Sequence, residues 1–196
     1  VKKLPLRKVS NYLNVNNPNF KTKKMLAYQM LSACKTVNEQ NLIHRDIKTE
    51  NFFVNKDKDG NITSKLADFG LAKTKGDIDS RGGTPYIYSP EYASAERTTI
   101  KNLDHEKIDA WALGVALFTL FHPNKQYPNW TNSSASSQND VIKNLNQDLV
   151  DRQCQALPPE IQPLVKDLLQ VDPQNRLSAK MALEKYRNIF KSVIIL

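Results

Sequence analysis

Four side chains near the end of the first quarter of the chain could do chemistry together. The string His44-Arg45-Asp46-Ile47-Lys48-Thr49-Glu50-Asn51 sets a carboxylate, an ammonium and an amide oxygen close together, and Asp68-Phe69-Gly70 adds a second carboxylate seventeen residues after Asn51. A carboxylate such as Asp46 can orient or take the proton of a hydroxyl. The amide oxygen of Asn51 and the carboxylate of Asp68 are hard donors suited to Mg²⁺. Lys48 offers a point charge for an anion such as phosphate. Gly70 lets the chain turn sharply after Asp68. Asp46, Lys48 or Asp68 alone reads as a surface charge; the spacing of the set carries the chemistry.

Those residues need elements to hold them. Before them, a helix is predicted from just after Thr22 to about residue 40, because Leu26, Met30, Ala33 and Val37 recur on one face. Between Asn51 and Asp68, Phe52-Phe53-Val54 reads as a strand, Asp59-Gly60 as a hairpin turn with positive φ at both positions, and residues 62–66 as the returning strand. Asp57, Asp59 and Asn61 imitate the start of a calcium loop, but Ile62 stands where its glycine is required, so a plain turn is expected. From Asp104 onward the pattern is helical. Residues 108–121 are apolar nearly all round, as in a helix buried inside a lobe. Residues 127–139 read as a surface loop, followed by a helix over about 140–150. Ile161, Leu164, Val165, Leu168 and Leu169 sit at helical spacing, and Ser178 is an N-cap for the last helix.

Composition bounds the class. The 196 residues are 40% hydrophobic and 24% charged, which excludes collagen, coiled coil and wholesale disorder. No apolar run is long enough for a transmembrane segment, and the N-terminus lacks the pattern of a signal peptide. The net charge of +8 favours anionic partners. It is spread out and not interleaved with aromatics, so no nucleic-acid partner is expected. Cys34 and Cys154 lie in unrelated contexts and read as reduced thiols, which places the protein inside a cell. That location is the cytoplasm, or a host cell for a secreted bacterial effector.

In their order, His44-Arg45-Asp46, Asn51, Asp68-Phe69-Gly70, Gly83-Thr84-Pro85-Tyr86 and Ser89-Pro90-Glu91 resemble the eukaryotic-type protein kinases. Asp109-Ala110-Trp111-Ala112-Leu113-Gly114 is similar to that family's buried central helix, and Asp172-Pro173-Gln174-Asn175-Arg176 to the loop bearing its late arginine. The resemblance implies a mainly α, protein-kinase-like large lobe with a small β-hairpin. It divides the chain into a hinge remnant (1–8), a catalytic loop (41–51), an activation segment (68–91) and a helical subdomain (104–196).

It also implies ATP and Mg²⁺ as cofactors and transfer of phosphate to Ser or Thr of a protein substrate, since Lys48 fits the Ser/Thr pattern. Asp46 and Lys48 are then catalytic, Asn51 and Asp68 bind metal, and Phe53 with Lys48 contacts the nucleotide. His44 and Phe69 stack in an internal spine, Asp109 is structural, and Glu91 forms a buried ion pair with Arg176. Thr84 hydrogen-bonds Asp46 and Lys48. Arg45 pairs with a phosphate on the activation segment, with Ser80, four residues before Thr84, as the acceptor and Thr74 as second choice.

The family's small β-rich lobe, with its glycine-rich loop and strand lysine, is not legible. Only 43 residues precede His44, and no G-x-G-x-x-G occurs among them. Val1-Lys2-Lys3-Leu4-Pro5 resembles the hinge between lobes. The chain is therefore expected to be the C-terminal large lobe from the hinge onward. Alone it would be inactive, and it would need its N-lobe in cis or from a complementing chain. The alternative is a non-catalytic kinase-like lobe acting as a protein-binding module.

Overall fold

A computed structural model describes residues 6–131, 142 and 145–194. The chain opens with strand β1 (Arg7–Lys8) and helix α1 (Val9–Asn16), then runs through the long helix α2 (Phe20–Glu39). Strand β2 (Leu42–Ile43) leads into the loop carrying Asp46. The hairpin of β3 (Phe52–Lys56) and β4 (Ile62–Leu66) follows, then β5 (Lys73–Thr74) and α3 (Pro90–Ser94). Helix α4 (His105–Phe121) crosses the centre, and α5 (Gln147–Cys154), α6 (Gln162–Leu168), α7 (Ala179–Lys185) and α8 (Arg187–Phe190) close the body. The strands form two small sheets, β1-β3-β4 and β2-β5. The predicted hinge string, residues 1–5, and most of the predicted 127–139 loop and 140–150 helix lie outside the described residues.

Local chemistry sets the element ends. Asn19 caps α2 by accepting from the Thr22 amide at 2.9 Å, so the helix begins earlier than the Thr22 pattern predicts. Its buried stripe is Leu26, Ala27, Met30, Leu31 and Cys34, while Ala33 and Val37 are only half-buried. Gln29 on its flank laces α2 to the free edge of β4, donating to Ile62 O (3.1 Å) and accepting from Ser64 N (2.6 Å). In the hairpin only Gly60 has positive φ (87°), which corrects the expectation for Asp59. The Asp57 carboxylate is spent on the turn itself, accepting from the Asp59 and Asn61 amides.

Helix α4 is capped by Asp104, which accepts from Glu106 N and Lys107 N. Nearly every residue along it is buried, as its all-round apolar pattern predicts. Full burial of each Leu or Phe there is worth roughly 1.5–3 kcal/mol. Helices α2 and α6 both pack on α4, and Ile161, Leu164, Val165, Leu168 and Leu169 are all completely buried. Ser178 caps α7 through Met181 N, as predicted. Cys34 and Cys154 are buried free thiols.

The segment after β5 is anchored at its far end by charge. Arg176 has no exposed surface and meets Glu91 in a two-pronged pair (Nη1–Oε1 2.7 Å, Nη2–Oε2 3.0 Å). Its remaining hydrogens go to the carbonyls of Gln170, Lys107 and Val171, so all five donors are used. The guanidinium lies 5.0 Å over the Trp111 ring. Glu91 therefore ties α3 to the helical body.

Two substitutions test this packing. A Cβ on Gly114 would stand 2.8 Å from Leu169 Cδ2 and 3.0 Å from Leu168 Cβ. Gly114→Ala should lower the urea midpoint even though alanine is worth about 1 kcal/mol more in a helix, because overpacking costs about 1–3 kcal/mol. An unchanged or raised midpoint would count against the close α4–α6 contact. Glu91→Ala strands a buried guanidinium and should cost about 3–5 kcal/mol. A loss below about 1 kcal/mol in the same denaturation experiment would mean that the pair is solvated rather than buried.

Candidate active site

The loop between β2 and β3 is held from beneath by one carboxylate. Asp109, buried within α4, accepts from His44 N (2.7 Å, Oδ2) and Arg45 N (2.9 Å, Oδ1). Arg45 sits at φ 70°, which a β-carbon disfavours, so this grip holds a strained turn. Burial pushes the Asp109 carboxyl up to about 7, against the lowering effect of the His44 and Arg45 amides. The His44 ring bonds Ala67 O through Nε2 (2.9 Å) and accepts from Asp46 N through Nδ1 (3.3 Å). Those bonds suit a neutral ring, and burial keeps its pKa below the ordinary histidine value.

This turn delivers Asp46 into a closed ring of polar contacts. Lys48 Nζ stands 2.7 Å from Asp46 Oδ2 and donates to Thr84 Oγ1 at 2.8 Å. The Thr84 hydroxyl in turn donates to Asp46 Oδ1 at 2.6 Å. Asn51 Nδ2 donates to both Asp46 O and Asp46 Oδ2, each at 2.8 Å. Burial works to raise the Asp46 carboxyl, but the hydrogen bonds from Lys48, Thr84 and Asn51 outweigh it and hold the group below its usual range. Asp46 is therefore an anion at neutral pH, oriented by three donors.

The hairpin brings Asn51 and Asp68 together. Its register pairs Phe52 with Leu66, and Ala67 N continues the ladder by donating to Asn51 O at 2.9 Å. Asp68 follows at φ 63° with an exposed side chain. Asn51 spends its amide nitrogen on Asp46, which leaves its side-chain oxygen as a neutral donor, and the ladder bond from Ala67 places Asp68 one residue further along the facing strand end. These two hard oxygens fit Mg²⁺ shared with phosphate. Among the described residues no group of three or more His, Cys, Asp or Glu could hold a metal unaided.

The remaining expected residues fall around this centre. Phe53 lies half-exposed on the side of β3 opposite the buried Phe52. Phe69 meets the His44 ring edge-on at 4.9 Å but keeps 45% of its surface exposed. Arg45 donates to Leu71 O (3.3 Å) and Ser80 O (2.6 Å), and its Nε is buried with no hydrogen-bond partner among the described residues. The Ser80 hydroxyl donates to Asp79, whose carboxylate also pairs with Lys73 at 2.8 Å. The segment between is seated by Ile78, which packs with Ile43, Tyr92, Ile100 and Ile108.

Several contributors escape a reading of the sequence. A Cβ on Gly83 (φ 90°) would stand 2.0 Å from Arg45 O, and one on Gly82 would stand 2.6 Å from Arg45 Nη2. The Gly82-Gly83 dipeptide is a turn signal that could have pointed to them. Tyr127 donates to both carboxylate oxygens of Glu50 (2.9 and 2.7 Å), a contact across 77 residues with no local signature. A concavity of about 620 Å³ between α2, the hairpin tip and Ser192–Ile194 holds none of the site residues.

Comparison with known proteins agrees with this geometry. The family model described as "Protein kinase domain" matches residues 7–186. The chain is 29% identical over 184 residues to human "Serine/threonine-protein kinase PINK1, mitochondrial", covering 87% of this chain and 30% of that kinase. It is 31% identical over 169 residues to mouse "Serine/threonine-protein kinase DCLK3", covering 81% of this chain and 20% of that one. It is 31% identical over 157 residues to "Serine/threonine-protein kinase chk-2" of Caenorhabditis elegans, covering 80% and 31%. The chain thus spans about a third or less of the length of these relatives.

The match corrects the expectation that the chain is only a C-terminal lobe from the hinge onward. It takes in nearly the whole chain from β1, whose Arg7 and Lys8 pair with Val54 and Phe53 in the sheet beside the site. With the Asp46 ring, the Asn51–Asp68 pair and the anchored segment between Asp68 and Glu91 all lying inside the matched residues, this chain belongs to the protein kinase domain family.

Proposed function

We propose that the protein transfers the terminal phosphoryl group of ATP to Ser or Thr hydroxyls of protein substrates. The observation that carries this reading is the Asp46–Lys48–Thr84 ring, to which Asn51 is bonded through its amide nitrogen. Asp46 orients the substrate hydroxyl and receives its proton as the new O–P bond forms and the bond from the terminal phosphorus to the bridging oxygen breaks, ADP leaving with that oxygen. Its low pKa suits a late proton transfer. Lys48 lies within reach of both Asp46 and Thr84, where it would offset charge developing on the transferred phosphate. Asn51 and Asp68 would hold Mg²⁺, which when bound neutralises phosphate charge. Phe53 supplies an apolar surface for the adenine. The Ser/Thr names of the similar kinases support that choice of acceptor.

The assay is Mg-dependent transfer from ATP to a Ser/Thr peptide library, using the natural form of the protein that carries these residues. Asp46→Ala and Asp68→Ala should each lower kcat by several powers of ten, and chelation should abolish transfer until Mg²⁺ is restored. Retention of more than about a tenth of the rate by either variant would overturn the assignment. If the protein and both variants bind a partner equally well and none transfers phosphate, the chain is a binding module instead.

Regulation by the activation segment belongs to the same proposal. A phosphate on Ser80 would stand beside Arg45, whose guanidinium already reaches the Ser80 carbonyl. Mass spectrometry of active protein should find that phosphate, with Thr74 as second choice, and Ser80→Ala should lower kcat. Unchanged kcat and KM in Ser80→Ala would leave Arg45 as a purely structural brace of the segment.

A further inference from the structure

We propose that the open side of α2 is a docking groove for an acidic protein segment that carries bulky apolar side chains at its centre. The inner stripe of α2, from Leu26 to Cys34, is spent on the core. Its outer stripe is Lys21, Met25, Tyr28, Ser32 and Lys35, whose helical spacing sets them along one line of the helix. A lysine stands at each end of that line, about 21 Å apart at the rise of an α-helix. Met25 and Tyr28 lie between them.

Two concavities join along this line. The first, about 620 Å³, opens between Met25, Tyr28, the hairpin residue Ile62 and the stretch Val193–Ile194. The second, about 300 Å³, runs on from Tyr28 and Ile194 past Ser32 to Lys35, walled by α7 and α8. Tyr28 and Ile194 line both, so the two form one trough. The Tyr28 ring is fixed there against the buried Phe190, with centroids 5.6 Å apart. The middle of the trough is therefore a preformed apolar surface. Gln29 already covers Ile62 O and Ser64 N on the β4 edge, so an occupant is held by its side chains rather than by joining the sheet.

Charge selects the occupant. Lys21, Lys35, Lys180 and Arg187 line the trough, against Glu184 as the one carboxylate among the described lining residues. Lys21, Lys180 and Arg187 form no ion pair among the described residues. Lys35 meets Glu39 at 3.7 Å in an exposed pair that holds it weakly. The cations flank the apolar middle, so a segment with carboxylates toward its ends and Leu, Ile or Phe between them satisfies both features. A basic segment is repelled, and an acidic one without apolar side chains leaves the middle unfilled. None of the lining residues belongs to the Asp46 site, so an occupied trough leaves that site open.

Displayed random peptides are selected on the natural protein that carries these residues, and those enriched are measured by fluorescence anisotropy. The enriched peptides should be acidic with bulky apolar residues at the centre, and their affinity should fall as salt is raised. It should drop about tenfold in the double variant Lys180→Glu/Arg187→Glu, whose positions are both exposed. The drop should be at least as large in Met25→Asp, which puts a charge on the apolar floor. If Met25→Asp does not fold, the double variant and the salt series decide. Enrichment of basic or uncharged peptides, equal affinity in the double variant, or no enrichment at all overturns the proposal; the last outcome covers a trough already filled by another segment of the same protein. A dimer of the unliganded protein that the double variant dissociates would assign the face to a second copy and overturn it as well.

A role in recruitment rests on the proposed phosphoryl transfer. Joined to a Ser/Thr peptide that is phosphorylated, a selected acidic segment should lower KM and leave kcat unchanged, and the double variant should erase only that gain. Acidic peptides that bind as expected without any transfer would keep the docking groove and reject the kinase reaction. Transfer without any selected acidic peptide would do the reverse.

Discussion

The site depends on a buried charge holding a strained turn. Left-handed backbone at a residue with a long side chain, as at Arg45, costs on the order of 1–3 kcal/mol. Hydrogen bonds to a charged group contribute about 1.5–3 kcal/mol each, and Asp109 makes two of them to consecutive amides. The balance favours the turn while the carboxylate is held in place beneath both amides. Fixing it is the task of α4, which is surrounded by α2 and α6 and has almost no exposed surface. The hydrophobic core thus acts on the chemistry through one side chain: displace α4, and the direction in which Asp46 points is no longer determined.

A second constraint is the register of the hairpin. Side chains alternate along a strand, so a slip by one residue would expose Phe52 and bury Phe53. The complete burial of Phe52 and the near-complete burial of Val54 fix the register. The Ala67–Asn51 hydrogen bond then follows, and with it the approach of Asn51 to Asp68. Gln29 closes the outer edge of β4 with side-chain amide bonds where another strand would otherwise pair. A two-strand hairpin is marginal in isolation; here β1 extends it on the β3 side and Gln29 from α2 covers the β4 edge.

What is legible in the sequence is what depends on short-range pattern. The hairpin strands, the all-round burial of α4, the Ser178 cap and the stripe from Ile161 to Leu169 each follow from period and turn chemistry. The start of α2 is misplaced because Asn19 competes with Thr22 as cap, and the sequence alone does not rank two nearby capping residues. The spacing of Asp46, Lys48, Asn51 and Asp68 is readable; that Asn51 spends its amide on Asp46 is not. The Tyr127–Glu50 contact and the stacking of Arg176 on Trp111 join residues far apart in the chain. The confinement to a C-terminal lobe fails for a different reason. It leans on motifs not found before His44, whereas the match is carried by the whole stretch from β1 onward.

The two segments that meet at Asp46 behave as one mechanical unit, and Arg45 is the joint. Its amide is held by Asp109, its guanidinium holds Leu71 O and Ser80 O, and its own carbonyl packs against Gly83. Gly83 is the residue before Thr84, so its approach to the Arg45 backbone sets how far the Thr84 hydroxyl can reach toward Asp46. A side chain on Gly83 would have to push the segment away from the Arg45 carbonyl, and with it the adjacent Thr84 that bonds Asp46 at 2.6 Å. At its far end the same segment is tied to the helical body by Glu91 and Arg176, so it is fixed at both ends and bears on the site in the middle. Arg45 thus joins the Ser80 carbonyl to the stretch of backbone that immediately precedes Asp46.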